Sequence, residues 1–286
     1  MADSPGPLLT LPVYQALCAA RAAGQDSVEC SLDLGVSRTM VATGPASWAW
    51  QGRDYPYPEA CKERTVYHWT GSAFAPVSRY QGALIKLVPT DWGMPVFEID
   101  GIKMLVSAEV SPYADAERKV GLIQPAGKRI LDCCGGLGYF AVWALRGGAT
   151  QIVSCEKNPD VIWLRRLNPW SPEGGATAPD ARLELRQADV TQVITGLPDQ
   201  SFDAVLHDPP RFGIAGELYA QVFYDQLARV LKRGGRLFHY TGTPNKLTSR
   251  RDLPREVSVR LERAGFATEI VGDGVLAILR GGAARR

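Results

Sequence analysis

Arg129-Ile130-Leu131-Asp132-Cys133-Cys134-Gly135-Gly136-Leu137-Gly138-Tyr139-Phe140 joins an apolar strand, an acid at its end, a glycine-rich turn and the start of a helix. Glycine lets the backbone turn sharply and approach a ligand where a Cβ would collide. Such a turn alone serves several nucleotide cofactors and some purely structural ends. Three further acids narrow it. The next apolar run, 151–154, leads to Glu156, 24 residues beyond Asp132. An acid there can accept from both hydroxyls of a ribose. A third run, 183–185, is followed by Ala188-Asp189-Val190, where an acid can meet an adenine amino group. A fourth, 202–206, leads into His207-Asp208-Pro209-Pro210-Arg211-Phe212. All four acids fall at carboxyl ends of consecutive strands, the edge at which open α/β sheets bind ligands.

Outward from that stretch, strand-like and helix-like runs alternate from Pro112 to the end. Helices are expected from Tyr139, from Pro159, over 217–231 and over 255–264, with a strand over 236–240. Alternation of this kind means βαβ crossovers and a parallel, doubly wound α/β sheet covered on both faces. Tyr219, Phe223, Leu227 and Leu231 recur every fourth residue, the spacing of a helix face laid on a core. The end of the chain differs: 267–271 and 275–279 flank Gly272-Asp273-Gly274 and read as a hairpin, so the last strand should be antiparallel. Gly174 to Pro179 reads as a loop, and there is no internal repeat.

Before Val110 the signals are for strands, at 41–43, 65–69, 83–88, 96–99 and 102–106. Asp100-Gly101 lies between the last two, and a type I′ hairpin turn needs positive φ at both central residues. Trp48, Trp50, Tyr55, Tyr57, Trp69, Tyr80 and Trp92 suit the core of a small sheet, and residues 8–23 read as a helical lead-in. Two domains are expected: a β-rich 1–111, covering the cleft on the substrate side, and an α/β 112–286.

Composition excludes several classes. With 45% hydrophobic and 22% charged residues, a sizeable core and a soluble surface are both available. Lys plus Arg number 32 against 30 Asp plus Glu, leaving no strong field for nucleic acid. No apolar run nears the ~20 residues that cross a bilayer, and no basic flank precedes Leu8, so a cytoplasmic protein without a secretory signal is expected. The six cysteines, at 18, 30, 61, 133, 134 and 155, include no C-x-x-C pair, and the three histidines stand at no ligand spacing to them. Buried reduced thiols and no metal site are the expectation.

On the four acids and their turn, residues 128–280 resemble a class I S-adenosylmethionine-dependent methyltransferase, a Rossmann-like fold of seven strands with the seventh antiparallel. The resemblance implies S-adenosylmethionine as cofactor, with Asp132, Gly136, Gly138 and Tyr139 at the turn, Glu156 and Lys157 at the ribose, and Asp189 and Val190 at the adenine. Asp208-Pro-Pro matches the catalytic-strand motif. Cys134 stands where the usual loop has its first glycine. His207 to Phe212, Asn168-Pro-Trp-Ser171 and Leu237-Phe-His-Tyr240 resemble an archaeal-type group of such proteins. The β-rich front ending in Ile99-Asp100-Gly101-Ile102 is similar in layout to spermidine synthases, although Leu137 stands where those carry an aspartate and the Pro-Pro is foreign to them.

The expected catalytic set is Asp208, His207, Arg211 and His239. Asp208 would hold the acceptor's N–H near the methyl group, the two prolines fixing the turn. His207 and His239 stand at the ends of the fourth and fifth strands, facing one cleft, and acid–base or orienting work weighs evenly there against a structural role. Arg211 could clamp a carboxylate or phosphate; a surface arginine closing the loop is the alternative. His68 reads as structural. The expected function is methyl transfer to a nitrogen or oxygen nucleophile of a small molecule, preferred to nucleic acid, with a nucleobase still open. Transfer or cyclisation of the aminopropyl or aminocarboxypropyl arm, releasing methylthioadenosine, is the second reading. A non-catalytic cofactor- or RNA-binding module is the third.

Overall fold

A β-strand buries a row of backbone groups only where neighbours share its hydrogen bonds, and the computed structural model shows where each strand finds them. It describes residues 6–174, 180–242 and 252–281; the expected loop over 174–179 lies, Gly174 apart, outside these. The chain divides into two compact units, Met1–Asp115 with Asp160–Ala178, and Ala116–Pro159 with Pro179–Arg286. This division differs from a single boundary after residue 111, because the segment from Asp160 joins the first unit. Side chains tie it there: the Arg79 guanidinium lies 4.0 Å over the Trp163 ring and 3.4 Å from Asp160. Trp170 Nε1–H donates to the Leu34 carbonyl at 3.0 Å.

The first unit opens with β1 (Leu8–Leu9) and α1 (Leu11–Ala22), so the expected lead-in helix begins only after Thr10. Then come β2 (Ser27–Cys30), β3 (Thr39–Thr43), β4 (Ser47–Trp50), β5 (Arg53–Pro56), β6 (Tyr67–Trp69), β7 (Phe74–Pro76), β8 (Ser78–Tyr80), β9 (Leu84–Val88), β10 (Val96–Ile99) and β11 (Ile102–Lys103). They form small sheets ordered β1-β6-β7, β2-β3-β4-β5 and β11-β10-β9-β8. The expected hairpin is present: Asp100 and Gly101 have φ of 49° and 78°, and β10 pairs antiparallel with β11. Trp48 and Tyr55 are buried and stacked, ring centroids 4.7 Å apart, in a core with Leu9, Leu17 and Val41. Tyr80 and Trp92, expected with them, are instead exposed, at 73% and 47%.

α2 (Pro112–Ile123) leads into the second unit, and the chain continues through β12 (Arg129–Asp132), α3 (Tyr139–Arg146), β13 (Gln151–Glu156), α4 (Pro159–Leu167), which belongs to the first unit, β14 (Leu183–Gln187), α5 (Val190–Val193), β15 (Phe202–His207), α6 (Gln221–Val230), β16 (Leu231–Tyr240), α7 (Leu253–Arg263), β17 (Phe266–Val271) and β18 (Gly274–Leu279). One seven-stranded sheet results, ordered β14-β13-β12-β15-β16-β18-β17. Its pairings are parallel from β14 to β16, while β18 runs antiparallel to both neighbours. The expected doubly wound α/β fold with an antiparallel last strand is therefore present. The single helix expected over 217–231 is broken. A 3-10 turn, Gly216–Tyr219, ends where Ala220 turns extended (ψ 148°), and α6 starts afresh. The four-residue stripe survives the break, since Tyr219, Phe223, Leu227 and Leu231 all lie in one buried core. No helix among the described residues is long and apolar enough to cross a membrane.

Candidate functional site

The carboxyl edge of the parallel strands is assembled by backbone hydrogen bonds. After β12, Gly135 N–H donates to the Cys155 carbonyl at 2.8 Å and Gly138 N–H to the Gly135 carbonyl at 2.7 Å. Gly136 and Gly138 have φ of 48° and 80°, a region in which a Cβ meets its own carbonyl. Cys134 is not among the described residues of positive φ, which is why a cysteine fits where a glycine was expected. Its thiol is pushed well up, first by burial and then by Cys133 and the acids around it. Thiolate chemistry is thereby withheld. Asp132 is fully buried and accepts from Ser154 Oγ at 2.8 Å.

Glu156, at the end of β13, is half-buried and held at both oxygens. Gly136 N–H donates to Oε2 at 3.0 Å and Asn158 N–H to Oε1 at 2.8 Å. An ionised carboxylate oxygen can accept more than one bond. The brace ties the acid of the second strand to the turn after the first. Asp189 caps α5, accepting at Oδ1 from the Thr191 N–H and hydroxyl at 2.9 and 2.7 Å. Burial would raise its carboxyl, but these bonds and Lys157 hold it below its ordinary value. Lys157 is exposed and lies 3.8 Å from Asp189 and 3.7 Å from Glu217. Val190 and Tyr139 are buried at the first positions of α5 and α3.

Asp208 follows β15 directly, its side chain 15% exposed, and Lys119 Nζ lies 3.5 Å from Oδ2. Tyr219 hydroxyl donates to the Pro210 carbonyl at 3.0 Å, fixing the loop from the far side. Arg211 is exposed, its carbonyl accepting from the Ile214 and Ala215 N–H groups.

The two histidines do come together, paired across β15 and β16 with ring centroids 4.4 Å apart. Both are fully buried. His239 Nδ1–H donates to the Tyr240 carbonyl at 2.8 Å, so Nε2 accepts from the Tyr224 hydroxyl at 2.9 Å. His207 Nε2–H donates to the Leu218 carbonyl at 3.0 Å, which leaves Nδ1 as a buried acceptor without a partner. Burial lowers His207 to about 4 and carries His239 well below its ordinary value, with His207 adding to the effect. Two neutral rings enclosed in this way brace the strand ends and the 3-10 turn, which favours the structural of the two roles weighed for them. Sequence reading leaves α2 unassigned and passes over Lys119, which sits in a charged run, Glu117-Arg118-Lys119, that looks like a solvated helix face.

Known proteins resemble the chain over this edge. Residues 131–239, from β12 to the end of β16, match the family described as "Methyltransferase domain". With the Rossmann-like order of the sheet, the cofactor that this match implies is S-adenosylmethionine. The chain is 44% identical over 185 residues to uncharacterized protein MJ1233 of Methanocaldococcus jannaschii, covering 63% of this chain and 61% of that one. It is 31% identical over 123 residues to ribosomal RNA large subunit methyltransferase I of Photobacterium profundum, covering 40% of this chain and 30% of that one. The chain thus spans less than two thirds of either relative. Spermidine synthase from Thermotoga maritima shares the fold, with a TM-score of 0.53 at 17% identity, over 72% of each chain.

The residues present fit the cofactor. Gly136 and Gly138 present no side chain at two left-handed positions of the turn, and the Glu156 carboxylate, an acceptor for hydroxyl donors, is already aligned by Gly136 and Asn158.

Proposed function

We propose that this protein transfers the methyl group of S-adenosylmethionine to a nitrogen or oxygen nucleophile held at Asp208. The observation that carries this is the brace between Gly136 and Glu156, which makes one surface of the glycine turn and the second strand's acid. In this reading Glu156 accepts from the ribose hydroxyls, and Asp189, with Lys157 and Val190, borders the adenine. Asp132, Gly136, Gly138 and Tyr139 form the turn beneath. The sulfonium supplies an already activated methyl, so the chain's task is alignment of a nucleophile in line with the S–CH₃ bond. Asp208 accepts a hydrogen bond from the acceptor and turns its lone pair toward that carbon. Pro209 and Pro210 restrict the backbone there, so little freedom is lost when the acceptor docks. Arg211, exposed beyond the prolines, is the group that would meet an anionic part of the acceptor.

The acceptor we favour is a small molecule; the likeness to a ribosomal RNA methyltransferase keeps a nucleobase as its competitor. In this reading the group His207–Phe212 also marks the chain as one of the archaeal-type group that it resembles. A second reading, transfer of the aminopropyl-type arm, draws support from the fold likeness to spermidine synthase, which extends over 72% of the chain. The nucleoside left behind separates the two. Incubated with S-adenosylmethionine and a cell extract, the protein should release S-adenosylhomocysteine by mass analysis. Methylthioadenosine as the product would replace methyl transfer by arm transfer.

A further inference from the structure

Lys119 is a cation in the wrong place for a surface helix. It projects from α2 with its side chain 3% exposed. Its Nζ lies 3.5 Å from Asp208 Oδ2, 3.8 Å from the Tyr240 ring centroid and 5.7 Å from that of Phe140. These partners come from three elements, the ends of β15 and β16 and the first turn of α3, so the ammonium sits where the proposed acceptor side converges. A buried ammonium is costly unless paired, and a well-packed apolar side chain would usually serve stability as well or better. Resting on the methyl-transfer reading, we propose that Lys119 is a positioning residue: it holds Asp208 ionised and in one orientation, so that Asp208 accepts a hydrogen bond from a nucleophile that is already neutral, such as a weakly basic N–H group.

Asp115, one helical turn before Lys119 on α2, is buried as well, and several groups that face Asp208 are neutral. Tyr219 is raised by burial and by Asp208 itself, and Cys134 by burial and the surrounding thiol and acids, so both stay protonated and neutral. His207, its neighbour in sequence, is neutral by burial. Tyr240 turns its ring face to the ammonium, and Arg211 is exposed beyond the prolines. The balance of the step is then simple. The nitrogen lone pair forms the N–C bond as the S–C bond breaks, and the electron pair of that bond stays on sulfur. The nitrogen carries the positive charge and afterwards yields its proton to Asp208 or to water.

Lys119→Met and Lys119→Arg test this in the full chain. Carbon NMR titration, with Asp208→Asn to assign the signal, should show the proton affinity of Asp208 rising about tenfold or more in Lys119→Met and returning to within about threefold of the parent in Lys119→Arg. If Lys119→Met does not fold, nitrogen NMR of Lys119 in Asp208→Asn reads the same coupling from the other side, with its proton affinity falling about tenfold. In the extract assay, the pH below which release of S-adenosylhomocysteine falls should lie about one pH unit or more higher in Lys119→Met than in the parent, with release recovering as pH rises, while its affinity for added S-adenosylhomocysteine stays at the parent's value. An Asp208 titration unmoved by Lys119→Met, or a loss equal at every pH, overturns the proposal. Absence of S-adenosylhomocysteine binding in the parent would instead overturn the methyl-transfer reading, and the titration would still decide the role of Lys119.

Discussion

His207 shows most plainly how burial reassigns a residue. An imidazole at a strand end invites a proton-transfer role, yet the ring is enclosed, donates to the Leu218 carbonyl and is lowered to about 4. Unfolded, it takes a proton near its ordinary 6.5. Between those values the unfolded chain binds more protons than the folded one, so stability falls as pH drops from 6.5 toward 4. The loss attributable to this ring is on the order of 3 kcal/mol. His239 and His68, both lowered by burial, act in the same direction. His207→Gln, which can still donate to Leu218, should therefore show a shallower fall in urea midpoint between about pH 7 and pH 5 than the parent. A fall as steep as the parent's would contradict the neutral, structural assignment. Activity should likewise lack a histidine limb near neutrality.

At the scale of the element, the parallel strands were the most legible part of the chain. Runs such as 129–132 and 202–207 are largely apolar because both faces of the strand are covered, and the acid that marks the ligand edge ends the first and directly follows the second. The short strands of the first unit were less so. β5, β7 and β8 are three or four residues each, carry mixed polar and aromatic residues and contain no clear alternation. The break between the 3-10 turn and α6 left no mark either, because both pieces keep the same four-residue stripe and the break depends on distant partners, His207 and Pro210. Lys119 was hidden for a related reason: the residues that pair with it lie far along the chain, and no local pattern distinguishes a buried lysine from an exposed one. Within the sheet, β18 packs hardest on β16. A Cβ at Gly274 would stand 2.5 Å from Phe238 Cζ and 2.6 Å from the His239 carbonyl. Gly274→Ala should cost about 1–3 kcal/mol, read as a lower urea midpoint with an unchanged slope. A neutral result would mean that β16 can shift at no cost.

Taken whole, the chain passes between its two units more than once: the segment from Asp160 leaves the second unit's sheet between β13 and β14 and belongs to the first. A chain beginning at Pro112 would keep all seven strands but would strip Trp163 of Arg79 and Trp170 of Leu34. It should be less soluble than the full chain and bind a dye for exposed apolar surface; a well-behaved monomer without dye binding would show that residues 160–174 need no partner from the first unit. The central claim concerns the strand edge, where a glycine turn and Glu156 are joined by a hydrogen bond. Removing a charged acceptor of two hydroxyl donors should cost ~1.5–3 kcal/mol. Calorimetry with S-adenosylhomocysteine should accordingly show binding by the parent and an affinity roughly 10- to 150-fold weaker in Glu156→Ala; equal binding by the two proteins, or none by the parent, would contradict the account.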